Sequence, residues 1–450
     1  MRTGVVFGVL HLFAAAVQAG QIPVETMLPE IAVDQEGDKN VFATPFDYRD
    51  GTLVTVHVEP PGAGGTEHAN LRTVVRLGSR DSTGRWSWES KVIEDRTLRD
   101  PWHTQASVAF DRHGFIHVAY NMHNMPWQYS VSTAPMSIAG FAFRGQPVSE
   151  DELHQVRFRN KTPFPDSGTA AIPGNQVTYP MFFSDANKEL YVTYRFALRP
   201  ARAWKERGFA GGIARYDADS KLWTSVGGEH RRTRDDVADR SNPSAAAAYP
   251  FAFEDGYSVY LITLSFDSGN GVHAFWNWRE GGAGTDTTRP SHAYSPDGRR
   301  FVKRSGEVLR LPVRRVDSEP IEPALARDPS YAPKSAAVLP EGTPLVVIQS
   351  ISGGRYLYAL PKSTGRWTEG EPMPDGASEI LVDAKGDQWA FASGLKVFTR
   401  GALGEPWRRV GEIGNDLCSP RVRYFGPERR FIVHAKRCDG GGATILSFRR

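Results

Sequence analysis

The chain has 450 residues, a formal net charge of +3 and 40% hydrophobic residues. That length holds several ordinary domains or one large all-β domain. The nearly balanced charge argues against a bulk nucleic-acid binder, which carries a basic stripe, and no run beyond the N-terminal stretch is long and apolar enough to span a membrane.

The N-terminus reads as an export signal. Arg2 gives a positive start, Val5 to Val17 is mostly apolar, and Val17-Gln18-Ala19 offers small residues for cleavage after Ala19. An uncleaved anchor is the competing reading. Residues 1–19 are therefore assigned to a signal peptide, and residues 20–450 to one secreted or periplasmic domain.

Along that domain helical periodicity is scarce. Short runs rich in Val, Ile, Tyr, Phe and Trp alternate with Gly, Pro, Asp and Asn, the pattern of many short antiparallel strands. One unit recurs: a turn followed by an alternating strand, at Asp111–Tyr120, Asp185–Tyr194, Glu254–Leu261 and Asp383–Trp389. A second unit closes hairpins with an aromatic, at Ser82–Trp86, Tyr216–Trp223, Ser295–Phe301 and Ser363–Trp367. The third of these is close to the Asp-box turn. Repeats of this kind mean blades, each a small sheet that cannot bury its faces alone. At roughly 50 to 60 residues per blade the expectation is an all-β, seven-bladed β-propeller of four-stranded antiparallel sheets. A large sandwich or a solenoid with similar turns is the alternative.

Three stretches carry chemistry. In the first, His103 precedes a strand, His117 lies within one and His123 follows it. His117 fits a packed core histidine, whereas neighbouring antiparallel strands would bring His103 and His123 to one rim. In the second, Tyr179 and Arg195 sit at opposite ends of a hairpin-like pair, where both would face a cleft. The third joins Tyr249 to His273, Trp276, Trp278 and Arg279, a set that suits a sugar platform. Tyr249, His273 and Arg279 are its candidate substrate-binding residues. Near the C-terminus, Cys418 and Cys438 are expected to form a disulfide in an oxidising compartment. The alternative is a zinc site with Asp416 and His434, whose spacing matches no standard pattern.

These segments resemble the BNR-repeat propellers that include the ulvan lyases. The resemblance rests on His103 to His123, on Val177-Thr178-Tyr179-Pro180 through Tyr194-Arg195, on Ala248-Tyr249-Pro250, and on Trp278-Arg279 with Tyr294 to Gly298. It covers roughly residues 100 to 300, and implies that His103 and Tyr179 act as acid and base. It also implies that Arg195 neutralises a uronate carboxylate, that His123 shares the site and that Tyr249 lines it. The sequence departs from the family pattern at Phe196 to Phe209, an insertion carrying Arg199, Arg202, Lys205 and Arg207, and at Ala248, where the family often has Asn. These changes bear on the substrate more than on the reaction class.

The expectation is a secreted lyase that cleaves a uronate-containing polysaccharide, sulfated or not, by β-elimination. It would need no cofactor, no metal is predicted, and the partner would be the acidic polysaccharide rather than nucleic acid or membrane. A monomer is expected. Two other readings stand beside it: a propeller glycoside hydrolase acting on rhamnose–uronate linkages, which would need two carboxylates across the bond, and a non-catalytic carbohydrate-binding propeller.

Overall fold

The computed structural model describes residues 22–35, 38, 42–61, 71–98, 103–147, 168–198, 208–230, 248–280, 288–327 and 330–450. The signal-peptide assignment and the four cations of the insertion lie outside them. Among the described residues, no helix is long and apolar enough to cross a membrane.

Seven antiparallel sheets form the seven blades of a propeller. From the inner strand outward, blade one holds β2 (Phe46–Arg49), β3 (Thr52–Glu59), β4 (Leu71–Arg80) and β5 (Trp86–Thr97). Blade two holds β6 (Ser107–Phe110), β7 (Ile116–Ala119), β9 (Tyr129–Ser132) and β10 (Phe141–Phe143). Blade three is β11 (Val177–Ser184), β12 (Leu190–Phe196), β13 (Ala210–Asp217) and β14 (Leu222–Ser225). Blade four is β15 (Tyr257–Phe266), β16 (Val272–Glu280), β17 (Thr288–Ser295) and β18 (Glu319–Pro320). Blade five runs through β19 (Ser330–Val338), β20 (Pro344–Ser350), β21 (Arg355–Ala359) and β22 (Glu371–Pro372). Blade six runs through β23 (Glu379–Val382), β24 (Gln388–Ala392), β25 (Lys396–Arg400) and β26 (Arg408–Glu412). Blade seven takes β27 (Leu417–Phe425), β28 (Arg430–Arg437) and β29 (Gly442–Arg449) from the C-terminus, and its outer strand, β1 (Glu25–Ala32), from the N-terminus.

Blade three departs from the four-strand expectation. A short fifth strand, β8 (His123–Met125), leaves blade two and pairs with the inner edge of β11. Inner strands of all seven blades line a central channel of about 520 Å³.

The repeated aspartates close the hairpins. Asp111 Oδ1 accepts the backbone N–H groups of His113 and Phe115, and Asp383 Oδ1 those of Lys385 and Asp387. Asp297 Oδ1 does the same for Arg299 and Arg300 in the Asp-box-like turn. A carboxylate that satisfies turn donors holds the reversal while strands on either side pack. The core lies between successive blades. Trp223, Trp276 and Trp278 are fully buried there, so the two tryptophans expected to form a sugar platform are packing residues. His117 is buried as well, with Nδ1 2.6 Å from the Tyr129 hydroxyl and Nε2 3.3 Å from Asp111 Oδ2. Cys418 and Cys438 are joined in a disulfide across β27 and the end of β28, so neither thiolate serves a metal.

Candidate active site

The site is built on strand irregularities. In a regular ladder Thr178 pairs with Arg195, but the next pair is Met181 with Thr193. Tyr179 and Pro180 therefore oppose the single residue Tyr194, which is a β-bulge. Tyr179 takes φ 61°, left-handed backbone that a bulky residue rarely adopts, and the following proline disfavours it further. Such conformations cost about 1–3 kcal/mol and persist where the surroundings over-determine them. Here Ser107 Oγ donates to the Pro180 carbonyl at 2.6 Å and accepts the Thr44 N–H, while Phe182 N–H donates to Thr44 Oγ1. Blades one and two thus hold the bulge in place.

β8 brings in His123. Its register places His123 opposite Thr178, beside Tyr179. Thr178 Oγ1 accepts the Asn124 N–H at 2.9 Å and donates to Asn124 Oδ1 at 3.0 Å, which fixes the short strand. His103, four residues before β6, stacks face to face on His123, with ring centroids 3.6 Å apart and an interplanar angle of 2°. The His103 ring also lies 5.6 Å from that of Tyr179.

Arg195 completes the cluster from β12. Its Cζ lies 4.7 Å from the Tyr179 ring centroid, 4.2 Å from Phe209 and 4.9 Å from Tyr260. It is 5% exposed, its Nε has no hydrogen-bond partner, and among the described residues it pairs with no carboxylate. Three aromatic faces stabilise the cation in part, but a buried guanidinium without an anion still carries a desolvation cost. Tyr260 meets a second cation, because Arg279 Cζ lies 4.1 Å from the centroid of the same ring. Phe42 packs edge-on against Tyr179 at 4.9 Å, and Lys334 Nζ lies 5.2 Å from the Phe42 ring.

His103, His123, Tyr179 and Arg195 are thus brought together, with Arg279 one ring away. Two expected substrate-binding residues stand apart. His273 lies at the opposite end of β16 from Arg279, about 20 Å away along the strand. It is buried there, with Nδ1 3.0 Å from His292 Nε2 and its ring against Tyr294. Burial pushes its imidazole down to about 4, so it belongs to the packing of blade four. Tyr249 is half-buried on the segment 248–253, which hydrogen-bonds to His230 and to Gly211, the residue opposite Arg195 in β13. Among the described residues its ring contacts none of the four. Sequence reading missed Phe42, Phe209, Tyr260 and Lys334. A usable signal was present for Lys334: a proline inside a strand marks a bulge, and Pro180, Pro333 and Pro420 each mark one.

Comparison with known proteins agrees with this architecture. The sequence profile of the BNR repeat-containing family matches residues 68–373, more than half of the chain, and the chain belongs to that family. No curated protein matches it. Among solved structures, it is similar to the polysaccharide lyase Uly1, with a TM-score of 0.63 at 12% identity, covering 94% of this chain and 100% of that one. It is also similar to a PL25 ulvan lyase, with a TM-score of 0.59 at 13% identity over 94% of this chain and 95% of that one. The same enzyme bound to -[GlcA(1-4)Rha3S]- gives 0.58 at 12% identity over the same shares. At such identities the likeness is one of fold.

Proposed function

We propose that this protein is a polysaccharide lyase that cleaves a uronate-containing polysaccharide by β-elimination, with ulvan the nearest candidate substrate. The observation that carries the reading is Arg195, a buried guanidinium with no carboxylate partner among the described residues, set against a tyrosine and two stacked histidines.

The chemistry follows from those groups. The proton on C5 of a uronate is weakly acidic while the neighbouring carboxylate is charged. Paired with that carboxylate, Arg195 stabilises the enolate-like charge that develops as the proton leaves. One of Tyr179 and His103 takes the proton, the electron pair forms the C4–C5 double bond, and the C4–oxygen bond breaks. The other group protonates the departing glycosidic oxygen. No water attacks, so no second carboxylate is required. His123 holds the plane of His103 through the stack. The resemblance to ulvan lyases and the similarity in fold to two polysaccharide lyases support the assignment.

The test is incubation with ulvan and a panel of other polyuronates, following the ultraviolet absorbance of the unsaturated uronate. A rise that is lost in Tyr179→Phe and His103→Ala, with both variants folded, is the expected result. New reducing ends without absorbance would replace the lyase with a hydrolase. Binding with neither signal would leave a non-catalytic propeller.

A further inference from the structure

The segment that leads from β1 into β2 reaches the axis of the propeller at Phe42, and it is tied down on both sides of that residue. Before it, the Asp34 N–H donates to the Val58 carbonyl at 2.9 Å. Asp38 Oδ2 lies 3.4 Å from His57 Nδ1 and 3.7 Å from Lys436 Nζ, which holds the segment to blades one and seven. The Phe42 N–H itself donates to Gln105 Oε1 at 3.3 Å. Two residues on, the Thr44 carbonyl accepts the Val108 N–H at 2.9 Å. These bonds, with those of Thr44 to Ser107 and Phe182, fasten the segment to blades two and three.

The Phe42 ring is thereby delivered into a buried apolar layer with Tyr179, Leu261 and Ala332. The other three come one each from the bulged inner strands β11, β15 and β19, and Tyr179 and Leu261 both take left-handed backbone. The channel begins just past this layer. Its lining starts at Ala43 in the segment, Met181 in β11, Thr263 in β15 and Lys334 in β19, each one or two residues further on, and none of the four residues of the layer lines it. The layer is therefore a cap across the channel. Phe42 is the one member that the linking segment supplies, and it meets Tyr179 edge-on with an interplanar angle of 62°, a favoured geometry for two rings.

We propose that Phe42 is a positioning residue for Tyr179: it braces the phenol ring in the geometry that proton transfer needs and closes the site against the channel. This rests on reading Tyr179 as a proton-transfer group of a lyase. The rings that face Arg195 are those of Tyr179, Phe209 and Tyr260, not that of Phe42. Loss of the Phe42 ring therefore leaves the grip on a uronate carboxylate in place. What it removes is the support of Tyr179 and the barrier between that residue and the channel. Small displacements of a reacting group are costly, because the rate depends on a near-attack arrangement.

The experiment is steady-state kinetics by ultraviolet absorbance for the wild type, Phe42→Ala, Phe42→Leu and Trp88→Ala, each below its own unfolding transition. Trp88, whose Nε1 donates to the Met27 carbonyl at 2.9 Å, lies at the outer strands and controls for a ring that is merely less stable. Phe42→Ala is expected to lower kcat about 10- to 100-fold and to leave KM within about twofold, the split that marks an interaction needed in the transition state. Phe42→Leu keeps apolar bulk in the layer and should return kcat to within about fivefold of the wild type. Trp88→Ala should keep the wild-type kcat. If Phe42→Ala does not fold, Phe42→Val takes its place and must show the same split in smaller measure. A kcat within about twofold of the wild type in the shortened variant, or a loss carried by KM, overturns the proposal. So does an equal fall of kcat in Trp88→Ala. A wild type with no absorbance on any polyuronate removes the lyase reading itself and this inference with it, a different failure from an active wild type indifferent to Phe42.

Discussion

At the scale of single residues, Arg195 and His273 show what burial does to a cation in opposite circumstances. Arg195 lies among three rings and beside a tyrosine on left-handed backbone. Lysine at this position keeps the charge but loses the planar fork that grips a carboxylate with two parallel bonds. Arg195→Lys is expected to lower kcat/KM about 10²–10³-fold, the cost of losing one transition-state donor, with folding retained by circular dichroism. His273 is instead kept neutral: burial is the main cause, with Asp267 opposing it and the Lys362 charge adding to it. Its folded value of about 4 lies below the ordinary 6.5. Above about pH 6.5 neither the folded nor the unfolded chain is protonated at this site. As pH falls from there toward 4 only the unfolded chain gains the proton, so stability is lost across that window and levels off below it. The expected loss from His273 is about 3 kcal/mol between pH 7 and 4. Urea midpoints for wild type and His273→Leu test this: the variant should show the smaller fall.

At the scale of elements, bulges and one stray strand make the site. The inner strands β11, β15, β19 and β27 all break register near the same end, and Tyr179, Leu261 and Ser419 take left-handed backbone there. Thr178 ties β8 to β11 through both of its bonds to Asn124 and is fully buried. Thr178→Val keeps the shape and deletes those bonds, leaving buried partners unsatisfied. The expected cost is about 1–3 kcal/mol, with a fall in kcat larger than the change in KM because His123 and His103 lose their fixed stack. Steady-state kinetics and thermal unfolding measure the two effects. The blades were legible in sequence because each turn aspartate and glycine is a local signal with a local cause, and Asp111 and Asp383 perform the hairpin role their spacing suggests. His103, His123, Tyr179 and Arg195 were legible as residues, through the resemblance. Their meeting in one site was expected, but the means of it was not legible, since it depends on β8 crossing into the next blade and on a left-handed residue before a proline. Tyr260 and Phe209 were not legible either, because an aromatic in a strand reads as core unless the cation that faces it is known. His273 misled for the same reason in reverse: it shares β16 with Arg279, but six residues of strand carry it to the other end.

At the scale of the whole molecule, the ring closes on its outer strand, and a few contacts of β1 decide whether seven blades hold as one unit. β1 pairs with β29, and Glu25 at its start receives Trp86 Nε1 at 2.9 Å, Arg430 Nη1 at 2.8 Å and a further ion pair from Arg80. Burial alone would raise the Glu25 carboxyl, but the hydrogen bonds from Trp86 and Arg430 and the charge of Arg80 outweigh it and hold it below its usual range. Beside it, Trp88 Nε1 donates to the Met27 carbonyl at 2.9 Å, and the Trp88 ring lies flat on Gly78, where an added Cβ would come within 2.7 Å of the indole. Blade one therefore grips a strand that belongs to blade seven, so the latch joins the two blades as well as the two chain ends. Gly78→Ala is expected to push the indole from its seat and cost about 1–3 kcal/mol, as overpacking does. Trp88→Ala also removes the apolar cover and should cost somewhat more. The partly exposed Glu25→Gln should cost less, about 1 kcal/mol or below, because solvent screens its ion pairs. That order is measured by thermal and urea unfolding of the three variants. If the ring unfolds as one cooperative unit, all three should move the single main transition, and the activity proposed above should vanish with that transition rather than before it. A separate early transition in Gly78→Ala, with activity retained through it, would mean that the outer latch between blades one and seven opens independently of the site at the inner strands.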